Sequence, residues 1–143
     1  MSRIRLGLDE IQIINLFEKM TGAKAVDIVH DDNYICFLVN KEDMGLAIGK
    51  KGSNITKARN KLGKNIHVVE YSDDYGQFIR NIFQPAEIME VRISSSSKGR
   101  NVVVKTTRRD RKIIIGPGGE KINMARKLID RHFELEDIII ETV

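Results

Sequence analysis

The chain has 143 residues, a length that suits one ordinary domain or two small ones. With 41% hydrophobic and 31% charged residues it has the composition of a soluble globular protein, and no apolar run approaches the roughly 20 residues that cross a bilayer. We therefore expect a cytoplasmic protein with no membrane contact. The net charge of +4 is by itself a weak argument for nucleic acid binding.

Cysteine and histidine are too sparse for a disulfide or a metal site. Cys36 is the only cysteine, so no intrachain disulfide can form, and it lies in an apolar run where burial is expected. The three histidines, His30, His67 and His132, are far apart and have no partner at ligand spacing. We expect neither a metal nor a cofactor.

The first half is predicted to begin with a helix at Asp9, because Asp9 and Gln12 have the spacing of a capping box, and Gly22 is a natural stop. A hairpin, a short helix, a glycine loop, a longer helix and a last strand follow. Their predicted bounds are residues 25–29 and 34–39 for the hairpin, 41–48 and 53–62 for the helices and 66–71 for the last strand.

The second half repeats this order. Asp74 and Gln77 have the capping spacing, and Pro85 prevents the helix from continuing. Residues 94–100, between the hairpin strands, are polar and basic and are predicted to form a longer, mobile turn. The predicted bounds are 88–94 and 101–106 for the hairpin and 137–142 for the last strand. One helix is predicted from residue 107 to the loop at 116, and a second helix from that loop to about residue 132. We expect one domain over residues 1–72 and another over residues 73–143.

A repeated glycine segment marks the duplication most clearly. The segment from Ile48 to Ile55 (IGKKGSNI) recurs from Ile115 to Ile122 (IGPGGEKI), shifted by 67 residues. The match continues into the flanking elements without a gap, where Ala58 falls on Ala125. Two copies in register indicate a duplicated module that spans strand, loop and helix.

Basic residues cluster beside both glycine segments. Residues 49–64 contain six Lys or Arg and no acid, and residues 98–112 contain seven against Asp110 alone. A glycine at each end of a four-residue turn tolerates positive φ and lets a phosphodiester approach the main chain. The helix that follows points its free N–H groups at the same place, which favours an anion. Either basic cluster alone could be a solvated face, but two beside matching loops favour nucleic acid.

On these residues the chain resembles the KH domain, whose GxxG loop clamps the backbone of about four nucleotides. The motifs are Gly49-Lys50-Lys51-Gly52 and Gly116-Pro117-Gly118-Gly119. Strands placed before the helix pair are typical of the type II topology, and two units in tandem resemble an archaeal NusA-type transcription factor. The resemblance implies an α+β fold of two tandem type II KH domains, each with a three-stranded sheet covered on one face by helices.

The resemblance also implies single-stranded RNA in a groove between the GxxG helices and the last strand of each unit. Apolar walls would draw on isoleucines and alanines such as Ile48, Ala58 and Ala125, although ordinary core is the commoner role for such residues. The implied RNA-binding residues are Ile48, Gly49, Lys50, Lys51, Gly52, Ser53, Ile55, Lys57 and Arg59 in the first unit, and Ile115, Gly116, Pro117, Gly118, Gly119, Lys121 and Arg126 in the second.

The two loops differ in charge. Pro117 and Gly118 replace the two lysines of the first loop, so the second loop lacks one backbone N–H and has no basic side chain. Its affinity for phosphate should be lower, or be supplied by neighbours such as Lys121 and Arg109. We predict unequal halves.

The alternatives are an enzyme, a KH protein of the ribosome and a scaffold that binds protein. An enzyme is not expected, because neither loop has the spacing of a nucleotide-binding motif and no catalytic set can be nominated. A KH protein of the ribosome or of its assembly is the main alternative to a transcription elongation or termination factor acting with RNA polymerase. A scaffold that binds protein alone is the third possibility. We expect the chain to be a monomer.

Overall fold

The computed structural model describes residues 7–143, and the chain divides into two units between Ser72 and Asp73. The first unit comprises α1 (Leu8–Thr21), β1 (Ala25–His30), β2 (Tyr34–Val39), α2 (Met44–Ile48), α3 (Ser53–Leu62) and β3 (Asn65–Glu70). One 3-10 turn precedes α2 over residues 41–43, and another joins α2 to α3 over residues 50–52. The order of elements is the one predicted from the sequence.

In the first sheet β2 is the central strand. It pairs antiparallel with β1 through the turn at residues 31–33 and parallel with β3, with Tyr34 opposite Asn65. A parallel neighbour requires a crossover connection, and the two helices α2 and α3 provide it. Every residue of β2 is buried, as its run of aromatic and β-branched side chains predicts.

The core of the first unit forms where α1 and α3 pack on this sheet. The rings of Phe17 in α1 and Phe37 in β2 stack with centroids 3.9 Å apart and planes 11° from parallel. Ala58 of α3 and Ile66 of β3 belong to the same buried cluster. Each large apolar side chain buried in this way stabilises the fold by about 1.5 to 3 kcal/mol.

The second unit repeats this architecture, with a longer hairpin and a longer helix after the loop but a shorter first helix. It comprises α4 (Tyr75–Phe83), β4 (Ile88–Ser96), β5 (Gly99–Thr106), α5 (Arg111–Ile115), α6 (Glu120–Phe133) and β6 (Asp137–Thr142). Strand β5 is central, antiparallel to β4 and parallel to β6. Asn101 lies opposite Asp137, and since Asn101 is 67 residues beyond Tyr34, Asp137 takes the place that Asn65 has in the first unit.

The predicted cap of α4 is confirmed and that of α1 is wrong. A carboxylate oxygen of Asp74 accepts the Gln77 N–H at 2.9 Å. Helix α1 begins at Leu8 instead of Asp9, because Glu10 reaches back to accept the N–H of Gly7 at 2.9 Å. The start of the predicted helix at residue 107 is also wrong, since a turn occupies residues 108–110 and α5 begins at Arg111.

The prediction of a long turn over residues 94–100 is wrong. Strands β4 and β5 stay paired to their tips, with Ser94 opposite Asn101 and Ser96 opposite Gly99, and only Ser97 and Lys98 remain between them. Exposed serines are compatible with a solvated hairpin as well as with a loop, so composition alone could not separate the two. Gly99, with φ 116°, allows the tight reversal.

Candidate functional site

The two glycine loops have the same backbone conformation. Gly49 and Gly116 have φ 75° and 74° with ψ 168° and 165°. Gly52 and Gly119, at the other end, have φ 74° and 76° with ψ 17° and 13°. In each loop the last glycine donates its N–H to the carbonyl of the first, at 3.1 and 3.0 Å. A difference in function between the loops must therefore come from their side chains and from the N–H that Pro117 lacks.

The first glycine of each loop is required by packing as well as by dihedral angle. A Cβ on Gly49 would lie 2.8 Å from the backbone nitrogen of Asn54, and one on Gly116 would lie 2.8 Å from the Cβ of Lys121. The last glycines, Gly52 and Gly119, face open space, with no atom within 4 Å of an added Cβ. The first glycine thus lets the following helix close on the loop, whereas the last one is needed only for its positive φ.

Lys51 adopts a conformation that residues other than glycine rarely take. Its φ of 55° and ψ of 32° lie in the left-handed region, and the equivalent Gly118 has φ 64° and ψ 15°. An L-residue there costs roughly 1 to 2 kcal/mol relative to the right-handed conformation. The second loop avoids this cost with glycine, whereas the first carries a lysine in spite of it.

Asn54 was not among the sequence-predicted site residues, although it fixes the geometry of the first loop. Its side-chain amide nitrogen donates to the carbonyl of Leu46 at 2.6 Å, which ties the start of α3 to α2. At the equivalent position of the second loop stands Lys121. Asn54 lies inside the repeated segment, so the repeat itself was the available signal.

The predicted cations of the first unit are exposed. Lys50 and Lys51 lie in the loop, and Lys57 and Arg59 lie on α3, which has no acid in its first turn. Among the described residues, no carboxylate lies within ion-pair distance of any of these four. Ser53 is also exposed, at the start of α3. Lys50 and Lys51 lie beside the positive end of α3, an arrangement that attracts anions, whereas Arg59 lies in the last turn of that helix.

The predicted cations of the second unit are engaged within it. The Lys121 ammonium donates to the Gln84 carbonyl at 2.8 Å, and burial lowers the pKa of this lysine. The Arg126 guanidinium donates through Nε to the Asp137 carboxylate at 2.7 Å. Burial raises the pKa of Asp137, but hydrogen bonds from Arg126 and from the Ile138 N–H outweigh that effect and the pKa is lowered.

Within residues 7–143, no ion pair restrains the matching arginine of the first unit. Arg59 corresponds to Arg126, but the first residue of β3 is Asn65 where β6 begins with Asp137. A neutral amide cannot form the ion pair. Arg109, a suggested source of charge for the second loop, donates to Asp110 at 3.2 Å although its side chain is 80% exposed.

The apolar residues of the predicted groove divide into half-buried and buried ones. Ile48, Ile55 and Ile115 are half-buried, so part of each side chain reaches the surface beside its loop. Ile122 is 7% exposed, and Ala58 and Ala125 are fully buried. The alanines therefore belong to the core and present no surface. Pro117 and Gly118 are exposed at the turn of the second loop.

Residues 7–143 contain neither a metal-binding cluster nor a membrane-spanning helix. No group of three or more His, Cys, Asp and Glu side chains there could hold a metal ion. Within the same range, none of the helices combines the length and the apolar character needed to cross a membrane. Cys36 is buried, and this burial, reinforced by the nearby charge of Asp27, strongly raises the pKa of its thiol.

Comparison with known proteins gives the same family for both units. The KH domain family profile matches residues 12–73 and again residues 75–142. Each match contains one helix-loop-helix segment and one three-stranded sheet, so the predicted fold of two KH domains is confirmed.

Relatives along nearly the whole chain come from archaea. The probable transcription termination protein NusA of Methanococcus vannielii is 43% identical over 90% of this chain and 75% of its own length. The protein of the same name from Halococcus morrhuae is 36% identical over 95% of this chain and 97% of its own. The crystal structure of APE1850 superposes with a TM-score of 0.84 at 33% identity, covering 95% of this chain and all of that one.

Proposed function

Since this chain belongs to the family of archaeal NusA-type proteins built from two KH domains, we propose that it binds single-stranded RNA and acts with RNA polymerase in transcription elongation or termination. RNA binding follows from the KH domains, whose GxxG loops clamp a nucleic acid backbone. The connection to transcription follows from the names of the relatives. The proposed function is binding and involves no catalysed reaction.

The geometry of the first loop is the main support for RNA binding. Both ends of this loop are glycines, which leave the main chain uncovered, and Lys50 and Lys51 lie between them. Lys51 holds a left-handed conformation that glycine would take at lower cost. A strained residue at an exposed turn is a sign of function. Here the function is to place an ammonium group where an RNA phosphate meets the start of α3.

The second loop is proposed to bind the backbone more weakly. Pro117 offers no N–H and Gly118 no charge, and the nearby Lys121 and Arg126 already have partners in their own unit. Binding a phosphate at these side chains would first require breaking a hydrogen bond or an ion pair. The unequal halves predicted from the sequence thus gain a structural basis.

Identifying the macromolecules that this chain binds in cell extract tests the assignment to transcription. We expect the chain, as a monomer, to retain RNA polymerase. Retention of ribosomal subunits or their precursors without polymerase would instead support the ribosomal alternative, which the names of the relatives disfavour.

RNA binding itself is tested by titrating single-stranded RNA at several salt concentrations. Each phosphate contact contributes roughly −0.7 to the slope of log affinity against log salt. We choose Gly52→Asp and Gly119→Asp as matched variants because both sites face open space and aspartate tolerates positive φ better than most residues. Substitutions at Gly49 or Gly116 would disturb the packing of the following helix and confuse folding with binding.

Gly52→Asp should weaken RNA binding at least about tenfold, because it places a negative charge beside the phosphate and the two lysines. Gly119→Asp should have a smaller effect. A larger loss from Gly119→Asp would contradict the division of work between the loops. Salt-independent binding would contradict contact with RNA phosphates, and no binding would contradict RNA binding altogether.

A further inference from the structure

We propose that the second unit binds RNA phosphates on the N-terminal side of its loop, through exposed cations that precede the glycines. This upstream patch consists of Arg108, Arg111 and Lys112. The inference rests on the proposed RNA-binding function and assigns a different set of residues to it in the second unit.

Aligned positions show that positive charge has moved from one side of the loop to the other. Residues 41–45 of the first unit carry one lysine and two acids, a net −1, whereas the equivalent residues 108–112 carry four cations and Asp110, a net +3. On the other side, residues 49–62 carry five cations and no acid, whereas residues 116–129 carry three cations and one acid, a net +2. The upstream side is therefore the more basic side only in the second unit.

The cations on the two sides of the second loop also differ in whether they already have partners. In the second unit, Lys121 and Arg126 on the downstream side are bound to Gln84 and Asp137. Among the described residues, no carboxylate lies within ion-pair distance of any member of the upstream patch. An RNA phosphate approaching the upstream patch would displace no ion pair.

The turn that presents the upstream patch is held by a network around Asp110. One carboxylate oxygen of Asp110 accepts the Glu87 N–H at 2.8 Å, and the Asp110 N–H donates to the Thr107 hydroxyl at 3.1 Å. The Thr106 hydroxyl in turn donates to the Glu87 carbonyl at 2.7 Å. The single acid of this segment is buried and pairs with Arg109, so it does not pair with Arg108, Arg111 or Lys112.

The upstream patch lies close enough to the loop to contact the same strand of RNA. Helix α5 has five residues, which is about 7.5 Å of helix axis at 1.5 Å per residue. The Gly116 N–H donates to the Lys112 carbonyl at 2.9 Å, so this lysine stands one helical turn before the first glycine of the loop. If an RNA strand lies on the loop, its neighbouring phosphates come within about 10 Å of Lys112, which is one Debye length.

The test uses the full chain and a fluorescent single-stranded RNA of about 12 nucleotides of mixed sequence, since each KH loop clamps about four. The patch variant is Arg111→Gln plus Lys112→Gln. The control is Lys98→Gln plus Arg100→Gln, which removes the same charge from the same unit at the hairpin tip. Strand β5 separates the two sites by about 20 Å at 3.3 Å per residue.

The patch variant should bind about fivefold more weakly at 0.1 M salt, with a salt slope shallower by about 1, as expected for one or two lost phosphate contacts. The control should change affinity less than about twofold, because charges beyond a Debye length are screened. A charge-preserving variant, Arg111→Lys plus Lys112→Arg, should retain the affinity, and melting by circular dichroism should show all three folded.

Equal losses from the patch variant and the control would overturn the inference. So would a patch variant that keeps its RNA affinity but no longer retains RNA polymerase, since this would assign the upstream patch to an acidic protein surface. Failure of the proposed function is separately visible: the wild-type chain would then not bind the RNA with salt dependence, and Gly52→Asp would change nothing.

Discussion

Lys51 and Gly118 have nearly the same left-handed conformation, with φ 55° and 64° and ψ 32° and 15°. They are the third residues of two loops that otherwise share their dihedral angles and their glycine to glycine hydrogen bond. The same backbone therefore carries a charged side chain in one unit and none in the other. The lysine destabilises its loop locally, and this cost is acceptable if the charge serves binding.

Replacing Lys51 separates strain from charge. Lys51→Gly and Lys51→Ala both remove the ammonium and should weaken RNA binding equally, with a salt slope shallower by about 0.7. In stability they should differ, because alanine remains strained whereas glycine does not. After allowance for the greater freedom of glycine in the unfolded chain, we expect Lys51→Gly to be more stable by about 1 kcal/mol. Urea unfolding measures the difference, and equal stabilities would contradict the strain.

The two glycines of the first loop should differ in their sensitivity to alanine. Gly49→Ala combines positive φ with a clash at the Asn54 backbone and should destabilise by about 2 to 4 kcal/mol. Gly52→Ala meets open space and should cost only about 1 kcal/mol from its φ. Denaturant unfolding of both variants checks this order, and the reverse order would mean that the packing of α3 on Gly49 is wrong.

Asp137→Asn should increase RNA affinity. The substitution gives β6 the amide that β3 has at Asn65, and it releases the Arg126 guanidinium for phosphate. We expect binding about two- to fivefold tighter with a salt slope steeper by about 0.7. Stability should fall by less than about 1 kcal/mol, because the pair is exposed to solvent.

Glu141→Gln is the control for that gain, since it removes the same charge from the same strand and leaves Arg126 paired. Its own partner, Arg92, still has Glu90 at 3.6 Å. An equal gain in affinity from Glu141→Gln would mean that net charge, and not the release of Arg126, is responsible.

Asp110→Asn should lower the melting temperature near neutral pH. The hydrogen bond from the Glu87 N–H, helped by Arg109, lowers the pKa of this carboxyl although burial opposes it. A carboxyl with a lowered folded pKa contributes its stability fully above the ordinary pKa of about 3.9 and loses it as pH falls through the folded pKa. The gap between wild type and variant should therefore be constant from pH 7 to about 5 and narrow below about 4. A gap that widens in acid would contradict the assignment.

Local patterns were sufficient for most of the fold. The run from Tyr34 to Val39 was predicted as a strand with the bounds that it has, and α3 ends at Leu62 as predicted, with Gly63 as its C-cap. Such elements follow from side-chain periodicity and from the conformational freedom of glycine, which act within a few residues. The hairpin tip was mispredicted because strand pairing at Ser96 and Gly99 depends on a partner strand and not on composition.

The sequence by itself determined that the chain is a duplicated unit with a glycine loop in each copy, because the repeat and its spacing are properties of residue order. It also determined that the loops differ in charge. Only the tertiary structure decided which cations are available. Along the chain Arg126 matches Arg59 and Lys121 looks as available as the loop lysines, but Gln84 and Asp137, brought beside them by folding, already bind them. A charge is sensitive to neighbours within a few ångströms wherever they lie in the sequence, so its availability for RNA is decided by the fold.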